Sequence, residues 1–210
     1  MQAATEKKGG ANLAVRAPLT CLGNAVGPWW VGGRTESYLG RAPQLASRGR
    51  RGADAGANGI KFNVYGKPAA NYSLVVAPSF EVNMQLADRG PELRYMVAMT
   101  VLYRGTSFTI TPWTLKTKRA ELIAHFEALG AKVTFDLANL RIIIEICAGH
   151  TIEFVSSHTD IPFAISYLDF AMTVPGCHNA YGGLLGQTYQ CKYATEKFEW
   201  SRAREEEFRV

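Results

Sequence analysis

The residues best suited to covalent or metal chemistry are four cysteines, Cys21, Cys147, Cys177 and Cys191. An even number of cysteines in a loop-rich chain favours disulfides in an oxidising compartment, and four cysteines allow three pairings. Cys177 and Cys191 flank a glycine-rich string, and pairing them would close a short loop. Pairing Cys21 with Cys147 would join the N-terminal segment to the body of the chain. The cysteine pattern alone leaves the connectivity open.

Zinc binding and nucleophilic catalysis are two other uses of these cysteines. Cys147-x-x-His150, Cys177-His178 and Cys191 offer soft ligands, but their spacing fits no common zinc finger. A nucleophile pair of Cys147 and His150 would need a turn between them, because residues three apart on a strand point to opposite faces. The sequence also lacks nucleotide, paired-carboxylate and metalloprotease motifs. We therefore expect no catalytic residues, no cofactor and no resident metal.

Charge divides the chain into two predicted regions. Residues 1–52 hold eight basic and two acidic residues, a net charge of +6, whereas the whole chain has a net charge of +5. Residues 1–57 are rich in Gly, Ala and Arg and show little periodicity, which predicts an irregular basic extension. Residues 58–210 are close to neutral and predict the folded domain. No apolar run approaches the roughly 18 residues of a membrane span, so we expect none.

Short runs of alternating apolar and polar residues begin near Gly59. Phe80, Val82, Met84 and Leu86 alternate with polar neighbours, the period-two pattern of a half-buried strand. The remaining candidate strands are 60–64, 72–76, 93–103, 106–111, 132–137, 140–147, 150–156 and 163–174. Apolar residues recur at helical spacing around Leu122, and this pattern predicts one short helix over 117–129. The pattern predicts a mainly β, antiparallel sandwich-like domain of many short strands.

Five stretches carry a family resemblance. In the first half they are Gly56-Ala-Asn-Gly-Ile-Lys-Phe-Asn-Val-Tyr-Gly66, Asn71-Tyr-Ser-Leu-Val-Val76 and Phe80-Glu-Val-Asn-Met-Gln-Leu86. The second half adds Ile165-Ser-Tyr-Leu-Asp-Phe-Ala-Met-Thr-Val174 and the most specific match, Gly182-Gly-Leu-Leu-Gly-Gln-Thr-Tyr189. These stretches resemble the root-cap (late-embryogenesis-abundant-like) family, which is related to von Willebrand factor type D domains. The resemblance implies an extracellular, β-rich, disulfide-containing domain without enzymatic activity. It implies roles in walls, matrices or secreted polymers.

The chain also departs from the type D pattern. Type D domains commonly begin with Gly-Asp-Pro-His, whereas the corresponding stretch here reads Gly52-Ala-Asp-Ala55, so cleavage at an Asp-Pro bond is not expected. Calcium sites in that family use carboxylates in this neighbourhood. Asp54 and Asn58 offer oxygens, but calcium takes six to eight of them, so any calcium site here is weak.

The resemblance also bears on the compartment. It favours a disulfide between Cys177 and Cys191, since both bracket a tight turn in a family of oxidised domains. Asn71-Tyr72-Ser73 is a glycosylation sequon, which makes Asn71 a candidate acceptor. We expect an extracellular or cell-surface location, although the residues after Met1 do not form a signal peptide. That conflict leaves an intracellular complex as the alternative.

Partner contacts are expected in the extension. Trp29 and Trp30 form its apolar anchor, and Arg48, Arg50 and Arg51 offer attraction for an anionic polymer. We expect protein partners in an assembly or matrix, and nucleic acid is a less favoured partner because no RNA-binding aromatic signature accompanies the basic residues. The favoured function is a non-catalytic structural or binding module. The alternative is an intracellular subunit whose extension contacts protein or RNA.

Overall fold

Alternation of apolar and polar side chains builds two antiparallel sheets in the computed structural model of the chain. The structure describes residues 36–39, 54–55, 61–62, 64, 66–67, 69–88, 94–146, 149–158 and 166–210. One sheet has four strands in chain order, and the other has five strands in the order Glu36–Leu39, Ser166–Thr173, His150–His158, Arg141–Ile146 and Lys132–Asp136. The prediction of a mainly β antiparallel fold is confirmed.

The strands of the four-stranded sheet follow one another along the chain. They are β4 (Asn71–Val76), β5 (Phe80–Asp88), β6 (Arg94–Tyr103) and β7 (Thr106–Ile110). A bulge between Ser73 and Val75 shifts the register of β4 on β5, and a second one shifts β5 on β6. The turn from β6 to β7 is a tight hairpin, because Arg104 and Gly105 both adopt positive φ angles of 50° and 78°.

The five-stranded sheet combines local hairpins with one strand from the N-terminal part of the chain. Its strands are β1 (Glu36–Leu39), β8 (Lys132–Asp136), β9 (Arg141–Ile146), β10 (His150–His158) and β11 (Ser166–Thr173). A separate two-stranded ribbon joins β2 (Asp54–Ala55) to β3 (Lys61–Phe62). β1 and β2 lie within the segment predicted to be irregular. β1 is too short to show a period of its own, and it extends β11 on the side that β10 leaves open.

The two sheets contribute to one hydrophobic core. Tyr72 and Met99 of the four-stranded sheet belong to the same buried cluster as Phe154 and Phe170 of the five-stranded sheet. The rings of Phe154 and Phe170 meet edge to face with their centroids 5.4 Å apart. Burial of such large side chains is the main favourable contribution to folding, so the shared core makes the two sheets depend on each other.

Two helices connect the sheets where the sequence predicts one. α1 spans Pro112–Thr117 and α2 spans Arg119–Ala128, so α2 falls inside the predicted helix over 117–129. α1 begins because Thr111 Oγ1 accepts a hydrogen bond from the backbone N–H of Thr114 at 3.0 Å, with Pro112 in the first turn. Among the described residues, no helix has both the length and the apolar composition needed to cross a membrane.

Candidate functional site

The glycine-rich string forms a corner that covers the edge of β4. We call residues 182–186 the glycine corner. Val76 and Gly182 exchange two backbone hydrogen bonds of 2.8 and 2.9 Å, and Leu184 N–H donates to Ser73 C=O at 2.9 Å. The side chain of Leu184 is fully buried beneath this contact. The corner therefore supplies hydrogen bonds to β4 on the side that β5 does not pair.

Gly183 is the position where the corner requires glycine. Its φ angle is +83°, and a Cβ atom added there would lie 2.7 Å from the carbonyl oxygen of Leu74. Positive φ angles are costly for residues with a side chain, and the close approach leaves no space for one. The absence of a side chain at Gly183 is therefore what allows the corner to lie against β4.

A segment after the corner completes the cover of the same edge. Arg209 forms an isolated antiparallel bridge with Tyr72, and Val210 N–H donates to Asn71 C=O at 3.1 Å. Glu205 is buried and accepts a 2.8 Å hydrogen bond from the backbone N–H of Gly66. Glu205 belongs to a 3₁₀ helix over Arg202–Phe208, and Arg209 and Val210 follow it directly. The edge of β4 is thus held by backbone that lies far from it in sequence.

A disulfide between Cys177 and Cys191 brackets the corner. Their Cα atoms are 4.8 Å apart and their separation in sequence is 14 residues. Closing a loop of this length restricts the unfolded chain by roughly 3 kcal/mol in the entropy model. The bond leaves neither sulfur as a thiolate, so these two cysteines cannot serve as the zinc ligands considered from the sequence. Cys21 and Cys147 lie outside the described residues.

A buried pair, His150 of β10 and Tyr181 of the disulfide-closed loop, joins that loop to the five-stranded sheet. His150 Nε2 is 2.6 Å from the hydroxyl oxygen of Tyr181, and both side chains are buried. The ring of His150 also meets Phe80 edge to face at 5.6 Å. Burial raises the pKa of Tyr181 to about 12, because the phenolate loses its hydration. The pair connects β10 to the residue just before the glycine corner, and aromatic rings surround it.

The outer face of the four-stranded sheet holds a concave groove of about 410 Å³. One row of side chains crosses all four strands in register, from Ser73 through Asn83 and Thr100 to Thr109. The hydroxyl oxygens of Thr100 and Thr109 are 2.9 Å apart. Asn71 lies on the rim, and in the part of the chain that the structure describes no charged side chain lines the groove. Amides and hydroxyls both donate and accept hydrogen bonds, so this groove suits a neutral polar ligand.

The groove is a surface that the sequence did not predict as a site. Its side chains occupy the outward positions of strands that the alternation does predict, such as Asn83 and Gln85 on β5. Only the order of the strands brings these positions into one row. The signal in the sequence is that Asn83 and Gln85, two outward residues of β5, are polar without being charged.

The residues predicted to bind partners lie outside the described part of the chain. These residues are Trp29, Trp30, Arg48, Arg50 and Arg51, and the calcium candidate Asn58 lies outside it as well. The other calcium candidate, Asp54, is in β2, where its backbone pairs with Phe62. The glycosylation candidate Asn71 is exposed at the start of β4. Among the described residues, no group of three or more His, Cys, Asp and Glu side chains is placed to hold a metal ion.

Neither the protein-family models nor the curated proteins compared with this chain include a match.

Proposed function

We propose that this chain is a non-catalytic structural or binding module of an extracellular or cell-surface assembly. The observation that carries the proposal is the disulfide between Cys177 and Cys191, which closes the loop around the glycine corner. Disulfides form and persist in oxidising compartments, and most intracellular proteins keep their cysteines reduced. The stretch from Gly182 to Tyr189, which includes the glycine corner, resembles the root-cap and type D families, and this resemblance supports the same compartment.

The arrangement around the disulfide supports a structural role for it. The loop that it closes provides the backbone groups that pair with β4, and it carries Leu184 and Leu185 into the core. His150 and Tyr181 are buried there against aromatic rings. A module in an external matrix has to keep its fold without chaperones, and a closed loop that holds a sheet edge serves that purpose.

An intracellular subunit of a large complex is the second candidate. The observation that favours it is the net charge of +6 in residues 1–52, which suits contact with an acidic protein surface or RNA. In that case the cysteines would be reduced in the cell. The redox state of Cys177 and Cys191 therefore separates the two candidates.

The test is thiol labelling of the protein taken from its native source. Lysates are quenched with an alkylating reagent, with and without prior reduction, and the peptides that contain Cys177 and Cys191 are measured by mass spectrometry. We expect both cysteines to be labelled only after reduction. Labelling of both without reduction would refute the extracellular proposal and favour the intracellular subunit. A matched control is denaturation before alkylation, which exposes buried thiols that the reagent would otherwise miss.

A further inference from the structure

We propose that Asn71 carries an N-linked glycan whose first, neutral sugars lie in the groove of the four-stranded sheet. This inference rests on the proposed extracellular function, because glycan transfer takes place in the secretory pathway. It adds a modification site and assigns an occupant to the groove. Two observations carry it, the position of the sequon and the chemistry of the groove, and the burial of the sequon hydroxyl sets when the glycan is added.

The sequon lies where an attached glycan would meet the groove. Asn71 is exposed, lies on the rim and pairs in register with Gln85 of β5. Tyr72 is fully buried on the opposite side of β4, so Asn71 and Ser73 share the outer face. A sugar bonded to the side-chain nitrogen of Asn71 would therefore emerge beside Gln85 and Asn83.

The lining of the groove matches the chemistry of a neutral saccharide. Among the described residues, no charged and no aromatic side chain lines it; its apolar lining comes from Met84, Ala98, Leu102 and Val210, and its polar side chains are Asn71, Asn83, Gln85, Thr100, Ser107 and Thr109. Sugar hydroxyls donate and accept hydrogen bonds, as these amides and hydroxyls do. A protein partner would instead be expected to use aromatic or arginine anchors in pockets, and a phosphate or acidic ligand would require positive charge. A neutral glycan is the occupant that this lining favours.

The attachment reaction sets when the glycan must be added. A bond forms between Nδ2 of Asn71 and the anomeric carbon of an oligosaccharide carried on a lipid diphosphate. The bond from the anomeric carbon to the diphosphate oxygen breaks, the lipid diphosphate leaves with the electron pair, and the amide nitrogen loses one proton. In the folded chain the hydroxyl of Ser73 is buried. Because this hydroxyl is part of the sequon, transfer has to precede the folding of β4.

The first arm of the test measures attachment. The full chain is secreted from a eukaryotic cell behind a cleavable leader, and its intact mass is compared before and after endoglycosidase treatment. We expect a mass loss equal to one glycan, which Asn71→Gln abolishes and Ser73→Thr retains because it keeps the sequon. Secreted, folded wild-type protein without a glycan would overturn the inference.

The second arm measures whether the glycan lies in the groove. The rate of glycan removal from folded protein is compared between wild type and the double variant Thr100→Ala/Thr109→Ala. We expect removal to be about tenfold faster in the variant, since a glycan that loses several hydrogen bonds to the sheet is more accessible. The matched control is Thr134→Ala/Thr151→Ala on the outer face of the five-stranded sheet, which should leave the rate unchanged. Equal rates in wild type and both variants would overturn the groove assignment.

A third arm separates the attached glycan from a free saccharide. Unglycosylated Asn71→Gln protein is titrated with neutral oligosaccharides while the backbone amide signals of β5 to β7 are followed by nuclear magnetic resonance. Saturable shifts at millimolar or lower concentration, together with the absence of a glycan on wild type, would make the groove a site for free saccharide and overturn the proposal. Thiol labelling of native material reports on the extracellular proposal separately, so oxidised cysteines without a glycan defeat only the inference about Asn71.

Discussion

On the outer face of the five-stranded sheet, ion pairs join side chains of adjacent strands. In the four-stranded sheet, the edge of β4 is covered by backbone from a distant part of the chain. On the five-stranded sheet, Lys132 Nζ lies 2.8 Å from Glu145 Oε1, and Arg141 Nε lies 2.7 Å from Glu153 Oε1. On the four-stranded sheet, the edge of β4 is paired with the glycine corner. Exposed ion pairs contribute little stability, while an uncovered strand edge is exposed to misassembly. The comparison teaches that the two sheets are held at these places by different contacts, side-chain charges between adjacent strands in one and a backbone cover over a strand edge in the other.

The largest effect is expected when the corner is pushed away from β4. We expect Gly183→Ala to lower the free energy of unfolding by roughly 3 kcal/mol or more, because the new Cβ atom meets the carbonyl of Leu74 in a backbone with positive φ. Urea unfolding followed by circular dichroism measures the change. Gly105→Ala is the matched control, since Gly105 has a φ angle of +78° but no heavy atom within 4 Å of the added Cβ.

The difference between these two glycines isolates the contact of the corner with β4. Gly105→Ala should cost about 1–2 kcal/mol, the penalty for a positive φ angle alone. If both substitutions lower the free energy of unfolding by the same amount, the corner does not pack closely against β4. The edge of β4 would then not depend on the glycine corner.

A smaller effect is expected from the titration of Tyr181. Its pKa is raised by burial to about 12 in the folded chain from 10.0 for an ordinary tyrosine. Between these values the unfolded chain releases the proton and the folded chain retains it, so stability is complete below about pH 10 and falls as pH rises toward 12. The expected loss is roughly 2 kcal/mol.

Comparison with Tyr181→Phe measures that loss. The variant lacks the hydroxyl next to His150, so it should begin less stable at neutral pH by about 1 kcal/mol. As the pH rises from 10 to 12, wild type should lose this advantage and become less stable than the variant by about 1 kcal/mol, because only wild type has the phenol of Tyr181 to titrate. A constant difference between wild type and variant over that range would contradict the burial of Tyr181 in the loop.

The smallest effect is expected on the five-stranded sheet. The ion pair of Lys132 and Glu145 is largely exposed, with side-chain exposures of 72% and 46%. A double-mutant cycle of Lys132→Met and Glu145→Gln should give a coupling free energy of about 0.5 kcal/mol or less. The coupling should fall further in high salt, since exposed charges are screened. A coupling as large as the cost of Gly183→Ala would remove the contrast between the two sheets.

The sequence predicts the strands well, but it predicts poorly the elements and contacts that connect and cover them. Alternation along β5 identifies Phe80, Val82, Met84 and Leu86 as inward residues, and all four are buried. The helix over 117–129 is found as α2, but α1 was missed because Thr111-Pro112 resembles the end of a strand as much as a helix start. That ambiguity is physical, since Thr111 itself has extended backbone, with φ −130° and ψ 165°.

The candidate sites depend on contacts that no local pattern contains. The glycines of the corner indicate a sharp turn, but nothing near Gly183 in the sequence indicates that it lies against Leu74. The groove likewise requires the strand order that places Asn83 beside Thr100. The predicted partner contacts of Trp29, Trp30 and the arginines lie outside the described residues, so they stay predictions.

The distance in sequence between β4 and the corner has a consequence for how the chain is made. Ser73 is synthesised more than a hundred residues before Leu184, which later hydrogen-bonds to it. At roughly 5–20 residues per second, ribosomes take about 6–20 seconds to cover that interval. During this time the edge of β4 is available to chaperones and to neighbouring nascent chains. Folding of the four-stranded sheet is therefore completed late, and its speed is limited by the arrival of the last quarter of the chain.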